Sequence, residues 1–183
     1  GIMSGEECNF QEIASDAAVA PRTVASFIEI LKDTLVAFEL EPFRLTKKRK
    51  AVTKSKIYMF DVGVANYMAG RLHLNFKSES FGKAFEHFCL QEIRAILSYN
   101  QIDIPMNYWR SAVGDFEVDC ILGKEMAIEF KSSDKFQEKY LKGLLALKEE
   151  GLVKRYILVS RDPVKRMVKG IEVLPYDQFL NDL

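Results

Sequence analysis

The stretch that decides the fold is DFEVDCILGKEMAIEFKSS, residues 115–133. Apolar and polar side chains alternate on both sides of Gly123, which is the pattern of an extended chain with one buried face. The first half places Phe116, Val118, Cys120 and Leu122 on one face and Glu117, Asp119 and Ile121 on the other, and the second half separates Met126, Ile128 and Phe130 from Ala127, Glu129 and Lys131. Two alternating runs around a glycine predict a β-hairpin.

The apolar pattern also selects how the two strands pair. A two-residue loop at Gly123 and Lys124 would set Asp119 opposite Ile128 and bring a carboxylate among core residues. A three-residue loop instead pairs Leu122 with Met126, Cys120 with Ile128 and Val118 with Phe130, all of them apolar. Because a one-residue slip turns a whole face over, burial favours the three-residue loop; its turn type stays open.

This register sets Asp119 opposite Glu129 and Glu117 opposite Lys131. Directly opposed like charges destabilise a sheet, so two carboxylates in this position indicate a shared cation. Mg²⁺ or Mn²⁺ takes oxygen ligands of this kind, and Lys131 on the same face could stabilise developing charge. The alternative is a solvated hairpin face with an ordinary cross-strand ion pair.

An Asp followed after nine residues by Glu-x-Lys on a hairpin resembles the PD-(D/E)XK nuclease superfamily. The resemblance implies that Asp119 and Glu129 bind the metal and that Lys131 assists attack on a phosphodiester. A helix before the sheet often supplies a further acid in these nucleases.

Residues 81–98, FGKAFEHFCLQEIRAILS, predict that helix, because polar residues recur on one side. Glu86 and Glu92 fall in its apolar sector, where a carboxylate is costly unless it is paired or bound to metal. We take Glu86 as the candidate third ligand and Glu92 as the reserve. Either acid could instead lie at the boundary of the helix and pair with an arginine.

Residues 10–33 predict two short helices joined by a tight corner, in the manner of a helix-turn-helix. Pro21 suits the first position of the second helix, and Arg22, Thr23 and Ser26 would be exposed where groove-reading residues lie. A helical hairpin that only packs is the alternative.

Two strand-like runs follow, 35–40 and 56–60, with TKKRKAVTK between them. After a helix-turn-helix such a hairpin predicts a wing, and its basic tip, Lys47, Lys48, Arg49 and Lys50, is where a DNA backbone would be contacted. The alternative is a mobile, solvated loop.

The remaining elements complete an α/β arrangement. Residues 1–9 predict a linker or an appended remnant, 10–70 a winged helix-turn-helix, 71–80 a linker, and 81–183 a PD-(D/E)XK (restriction-endonuclease-like) domain of order αβββαβ. Within 81–183, strands are predicted at 107–110, with Ile102 as an alternative start, and at 155–160 and 171–174, and helices are predicted at 136–150 and 176–183. Asp61 is a candidate cap for a short helix over 62–69.

Composition restricts the classes of function. The chain has 183 residues, zero formal net charge and three scattered cysteines, which match neither a zinc site nor a disulfide framework and fit the cytoplasm. No apolar run approaches the length of a membrane span and no secretory pattern opens the chain, so we expect no membrane association. Two isolated histidines make a histidine metal site improbable on spacing.

Several segments together resemble an uncharacterised C-terminal region of prokaryotic AAA-type ATPases, a winged helix followed by a PD-(D/E)XK-like domain. They are VAPRTVASFIEIL, SKIYMFDVGVANYMAG, FGKAFEHFCLQEI, YWRSAVGDFEVDCIL and AIEFKSS. The resemblance implies an attached N-terminal ATPase domain and DNA as partners. SESFGKAF lacks the glycine and hydroxyl of a phosphate loop, so we expect no nucleotide binding here. Two functions stay open: a Mg²⁺-dependent DNA nuclease, or an inactive module that docks an ATPase onto DNA or protein.

Overall fold

A computed structural model describes residues 4–113 and 116–183. Asp115 at the start of the quoted hairpin stretch, Gly114 before it, and residues 1–3 of the predicted linker lie outside these ranges. The chain divides into two compact units. The first runs up to Glu41 and resumes over Lys54–Leu72, and the second combines Pro42–Thr53 with His73–Leu183.

The first unit has the predicted order of elements. These are α1 (Phe10–Asp16), α2 (Pro21–Asp33), β1 (Ala37–Pro42, ending at the unit boundary), β2 (Lys56–Met59) and α3 (Val62–Met68). β1 and β2 pair antiparallel, from Ala37 opposite Met59 to Leu40 opposite Lys56. Ala18 takes a φ of 52° in the corner between α1 and α2, and the Asp61 carboxylate caps α3 by accepting the Val64 N–H at 2.7 Å.

The predicted linker at the start of the chain is bound in its described part. Gly5 N–H donates to the Ile57 carbonyl at 2.9 Å, and Cys8 N–H donates to the Ser55 carbonyl at 2.8 Å. Backbone groups along β2 need partners, and this segment supplies them. Residues 5–8 are therefore part of the first unit rather than a free linker.

In its described residues, the second unit consists of a six-stranded mixed sheet and three α-helices. Its elements are α4 (Glu79–Tyr99), β3 (Met106–Arg110), β4 (Glu117–Leu122), β5 (Met126–Lys131), a 3₁₀ helix (Glu138–Leu141), α5 (Lys142–Lys148), β6 (Arg155–Ser160), β7 (Arg166–Val168), β8 (Ile171–Pro175) and α6 (Tyr176–Asn181). The strand order is β3-β4-β5-β6-β8-β7. The predicted sequence of elements, αβββαβ, is present, with β7 as an unpredicted addition. The helix predicted over 136–150 is shorter and begins with a 3₁₀ turn.

The predicted hairpin and its three-residue loop are confirmed. Leu122 pairs with Met126 and Cys120 with Ile128, and Gly123 in the loop has a φ of +54°. β5 continues into β6 as a parallel pair, in which Glu129 lies opposite Leu158 and Lys131 opposite Ser160. The hairpin is therefore central to the sheet, with β3 beside β4 and β6 beside β5.

The predicted division of β4 into two faces is wrong at one point. Asn107 pairs with Ile121 but Trp109 pairs with Val118, so Asp119 and Cys120 together stand opposite Tyr108 alone. This is a β-bulge, and its extra residue reverses the alternation that follows it. Val118 and Ile121, predicted on opposite faces, consequently belong to one buried cluster.

Helix α5 packs closely on β4. Leu141, Leu144 and Leu147 are fully buried in the same cluster as Val118 and Ile121. Gly143 permits this approach, because a Cβ at that position would lie 1.8 Å from the Glu117 carbonyl oxygen. The two units as described contain no helix with the length and apolar character that crossing a bilayer requires.

Candidate active site and basic surfaces

The hairpin brings together the acids and the lysine that the sequence singled out. Asp119 lies at the bulge of β4, and Glu129 and Lys131 lie two residues apart on β5. Asp119 and Glu129 are each only 6% exposed. Bulges re-aim side chains and are common beside functional sites, so the bulge gives Asp119 a position that a regular strand would not.

The two oxygens of the Glu129 carboxylate differ in their contacts. Glu129 Oε1 lies 2.6 Å from Lys131 Nζ. The other oxygen, Glu129 Oε2, is buried without a hydrogen-bond partner. Asp119 Oδ2 accepts the backbone N–H of Phe130 at 2.8 Å. The two carboxylates are therefore adjacent through the backbone of β5, and one oxygen of Glu129 has its hydrogen-bonding capacity unused.

Burial dominates the electrostatics of Glu129. Burial is the largest of the effects that together raise the pKa of that carboxyl to about 7; Lys131 opposes burial, and the charges of Glu117 and Glu86 act in the same direction as burial. Burial lowers the pKa of Lys131, but Asp119, Glu129 and Glu86 outweigh it and leave that pKa above its usual value. Lys131 is therefore a firmly protonated cation among several carboxylates.

Glu86 on α4 is near enough to act on the site. Its charge raises the pKa values of Glu129 and Lys131. Burial first, and then Asp119, raises the pKa of the Cys89 and Cys120 thiols, which are fully buried and stay neutral. Glu92, by contrast, raises the pKa of the buried Cys89 thiol. Of the two candidate acids, Glu86 is thus the one coupled to Glu129 and Lys131.

The three predicted ligands are not gathered as a ready metal site. Within residues 4–113 and 116–183, no three His, Cys, Asp or Glu side chains form a cluster that could hold a metal ion. The β4–β5 pairs run from Leu122 opposite Met126 to Cys120 opposite Ile128, so the predicted positions of Asp119 opposite Glu129 and Glu117 opposite Lys131 stay predictions. Glu117 lies opposite Arg110 of β3, with Arg110 Nε 4.0 Å from its carboxylate, while Lys131 pairs with Glu129 of its own strand.

The basic run does not form the tip of a free wing, because residues 42–53 belong to the second unit. There they follow β3, with Phe43 N–H donating to the Tyr108 carbonyl at 2.6 Å and Val52 N–H donating to the Arg110 carbonyl at 2.9 Å. The residues on both sides of the basic run are therefore hydrogen-bonded to β3. We call residues 46–50 the basic loop.

The basic loop is held by the acidic end of α5. Glu150 accepts the backbone N–H groups of Lys47, Lys48 and Arg49 at 2.8–3.0 Å. Arg49 Nη2 lies 2.6 Å from Glu149 Oε2, and Lys48 Nζ donates to the Glu149 carbonyl at 2.6 Å. Two of the four predicted DNA-binding cations are thus engaged within the protein, and the side chains of Lys47 and Lys50 are exposed.

The predicted groove-reading residues lie on the first turns of α2. Arg22 and Ser26 are exposed and Thr23 is half-buried. The Ser26 hydroxyl donates to the Arg22 carbonyl at 3.1 Å, one turn earlier in the same helix. Their surface position is compatible with the predicted role, which stays a prediction.

Arg161 is a functional candidate that the sequence interpretation missed. It directly follows β6, and a cleft of about 480 Å³ is lined by Arg161, Lys131 and Lys77. The signal was available: β6 is parallel to β5, and the carboxyl ends of parallel strands meet at one edge of a sheet. The residue that follows strand 155–160, Arg161, is therefore expected to lie beside Lys131 and Ser132.

Fold and site together define a mixed α/β protein whose second unit carries a buried acid–lysine group on a central hairpin. The chain belongs to the family described as a domain of unknown function, DUF4143, which matches residues 81–179. A second domain of unknown function, DUF8612, matches residues 2–78.

Two uncharacterized mycobacterial proteins are similar over nearly the whole chain. One is from Mycobacterium tuberculosis and one from Mycobacterium bovis, and each is 28% identical over 177 residues, or 92% of this chain. The chain spans 38% of the length of these relatives. No solved structure matches it.

Proposed function

We propose that the second unit is a metal-dependent phosphodiesterase of the PD-(D/E)XK type that acts on DNA. The observation that carries the proposal is the incomplete Glu129 carboxylate. Its Oε2 is buried and unpartnered, while Lys131 lies on its other oxygen and Asp119 is adjacent. An unsatisfied buried oxygen is costly, so its retention points to a ligand that completes it.

The residues present fit a hard divalent cation. Asp119 and Glu129 would hold Mg²⁺ or Mn²⁺, with Glu86 as the candidate third acid, because such ions take carboxylate oxygens. The ion would supply Lewis-acid stabilisation and an acidified water. The buried, unpartnered Glu129 oxygen supports this proposal, because a bound cation would give that oxygen a partner.

The chain's own groups have separate tasks in this proposal. Lys131 stays protonated and offers positive charge where a phosphodiester gains negative charge during attack. Glu129 Oε1 orients the Lys131 ammonium at 2.6 Å. The Phe130 N–H fixes the Asp119 carboxylate at the bulge. Holding reacting groups in place in this way removes part of the entropic cost of reaction.

The first unit, the basic loop of the second unit and an attached ATPase domain would have supporting roles. Arg22, Thr23 and Ser26 of α2 would contact a DNA groove, as in a winged helix-turn-helix, and the exposed Lys47 and Lys50 would contact backbone phosphates. The mycobacterial relatives are much longer than this chain, which leaves room for the attached ATPase domain that would bring the nuclease to its substrate.

A second candidate is a binding module without catalysis. It is favoured by the absence, among the described residues, of a three-ligand cluster, and by the partners that Asp119 and Lys131 already have within the fold. Such a module would dock an attached ATPase onto DNA or another protein and would need no metal.

Cleavage of labelled duplex DNA in Mg²⁺ or Mn²⁺ separates the two candidates. Asp119→Asn keeps an acceptor for the Phe130 N–H but removes the charge, so we expect cleavage to fall at least about 100-fold. The control is Glu125→Gln, which removes an acid from the hairpin loop where Glu125 pairs with Lys154. Cleavage by Asp119→Asn at the wild-type rate would refute the active site, and DNA binding without any cleavage would favour the second candidate.

A further inference from the structure

The cleft beside Lys131 carries more positive than negative charge. Its charged lining residues are Lys77, Lys131, Arg161 and one acid, Asp134. Lys131 is engaged with Glu129, whereas Lys77 is exposed. Within the parts of the chain that the structure describes, no carboxylate pairs with Arg161. Lys77 and Arg161 are therefore the two cations of this cleft that have no carboxylate partner among the described residues.

Arg161 is held in place by contacts that leave its charge available. Its guanidinium lies over the rings of Phe76 and Phe81, at 5.0 Å and 5.5 Å from their centroids. Nη1 donates to the Ser132 carbonyl at 3.4 Å, and the backbone N–H donates to the Ser133 carbonyl at 3.1 Å. A stacked guanidinium loses less freedom when it binds an anion, and its fork of N–H groups matches a phosphate.

A second feature of the cleft also favours an anion. Ser78, the N-cap of the 21-residue helix α4, lines the cleft, so the positive end of a long helix lies at its wall. Ser132 also lines the cleft, and its hydroxyl is a further donor that could reach a bound anion. Phosphate groups are commonly bound at such helix ends.

The rim of the cleft points to nucleic acid rather than to a free anion. Phe76, which stacks on Arg161, is 66% exposed, and Tyr140 also lines the cleft. Exposed aromatic rings next to cations are the combination that receives bases beside a phosphate backbone. A small inorganic anion would use the cations and would leave the exposed part of the Phe76 ring without a ligand contact.

We infer that this cleft binds a backbone phosphate of a nucleic-acid strand, with Arg161 as its principal ligand and Lys77 as a second contact. The inference rests on the proposed function in one respect: the bound phosphate would be adjacent, along the nucleic-acid strand, to the phosphodiester whose charge Lys131 stabilises. Arg161 follows the end of β6, which lies next to the end of β5. From there it would hold the nucleic acid in a fixed position relative to Glu129 and Lys131.

The test measures binding of a labelled single strand and the matching duplex in EDTA, where no cleavage takes place. Arg161→Gln should weaken binding about tenfold and lower the slope of affinity against salt by about one ion. Arg161→Lys keeps the charge without the fork and should weaken binding about threefold. Arg155→Gln is the matched control: Arg155 begins the same strand, pairs with Glu172 and should leave affinity within about twofold.

Thermal melting confirms that each variant is folded, and Arg161→Lys keeps the inference testable if Arg161→Gln is not. Equal affinities for Arg161→Gln and Arg155→Gln would overturn the inference. Failure of wild type to bind either DNA at low salt would overturn it too, and stabilisation by inorganic phosphate in wild type but not in Arg161→Gln would then reassign the cleft to a free phosphate. Loss of binding in Arg161→Gln alongside unaltered cleavage in Asp119→Asn would uphold the cleft and refute the active site.

Discussion

Two buried glutamates of the second unit, Glu150 and Glu129, have opposite surroundings. The Glu150 side chain is 1% exposed and accepts three backbone N–H groups from the basic loop. Burial raises its pKa, but those hydrogen bonds and Arg49 outweigh burial and hold that pKa below its usual value. The Glu129 side chain is 8% exposed, has Lys131 on one oxygen and nothing on the other, and its pKa is raised.

The difference separates a structural charge from a functional one. Both carboxylate oxygens of Glu150 accept hydrogen bonds from the protein, so its charge stabilises the basic loop. Glu129 carries a cost that the fold alone does not offset, and such costs are concentrated at sites that bind something else. The arginines repeat the contrast, because Arg49 pairs with Glu149 whereas Arg161 stacks on two rings with no acid partner among the described residues.

The largest expected effect is at Glu150. Glu150→Gln replaces one acceptor oxygen with an N–H₂ group that faces the loop amides, so we expect a loss of about 2–3 kcal/mol of unfolding free energy at neutral pH. The loss should shrink in acid, because stability from a lowered pKa disappears as the carboxylate protonates. Urea denaturation measures the change.

The control for that substitution is Glu149→Gln. Glu149 is adjacent and 59% exposed, so its removal should cost less than about 1 kcal/mol. Glu150→Gln should also expose the Lys47–Lys50 bonds to trypsin, since the loop loses its anchor. Equal stability losses for the two variants would contradict a structural role specific to Glu150.

The same substitution at Glu129 should act in the opposite direction. Below the pKa of an unfolded glutamate, about 4.3, the carboxyl is protonated in both states and Glu129→Gln should change little. As pH rises towards the folded pKa of about 7, the native state keeps a proton that the unfolded chain has lost, so wild-type stability falls. At about pH 8 we expect Glu129→Gln to be more stable by about 1–3 kcal/mol.

Thermal or urea unfolding of Glu129→Gln at about pH 5 and pH 8, in EDTA, measures that change. The variant should also lose any metal-stimulated cleavage, which would be the exchange of function for stability expected at a binding site. A destabilisation at pH 8 as large as that of Glu150→Gln would mean that Glu129 is structurally satisfied, and the contrast between the two glutamates would fail.

Sequence patterns could predict the hairpin because burial alone selects its register. Leu122 with Met126 and Cys120 with Ile128 are the pairs that keep apolar groups together, and they form. The bulge at Asp119 was not predictable from alternation, because a bulge is an extra residue that alternation does not mark. The bulge becomes visible only from the pairing with β3, where Tyr108 stands opposite two residues.

The fate of the basic run was outside the reach of local pattern. Its partners, Glu149 and Glu150, lie about a hundred residues later, and nothing in TKKRKAVTK indicates that its amides are bound. A charge run shows how many cations are close in sequence. It does not show how many of those cations are still free to bind a ligand once acids elsewhere in the fold have paired with them. Arg161 is the opposite case, because it lies outside any basic run and yet has no acid partner among the described residues.

The smallest expected effect tests that distinction on the basic loop. Lys47 and Lys50 are exposed, so Lys47→Gln with Lys50→Gln should weaken DNA binding about threefold at low salt through lost phosphate attraction. Arg49→Gln removes a cation that Glu149 already neutralises, so it should weaken binding less than about twofold while lowering stability. Anisotropy titrations in EDTA, alongside Arg161→Gln, measure all three. If Arg49→Gln lost as much affinity as Arg161→Gln, the ion pair with Glu149 would open when DNA arrives, and the paired and unpaired arginines would be equivalent as DNA ligands.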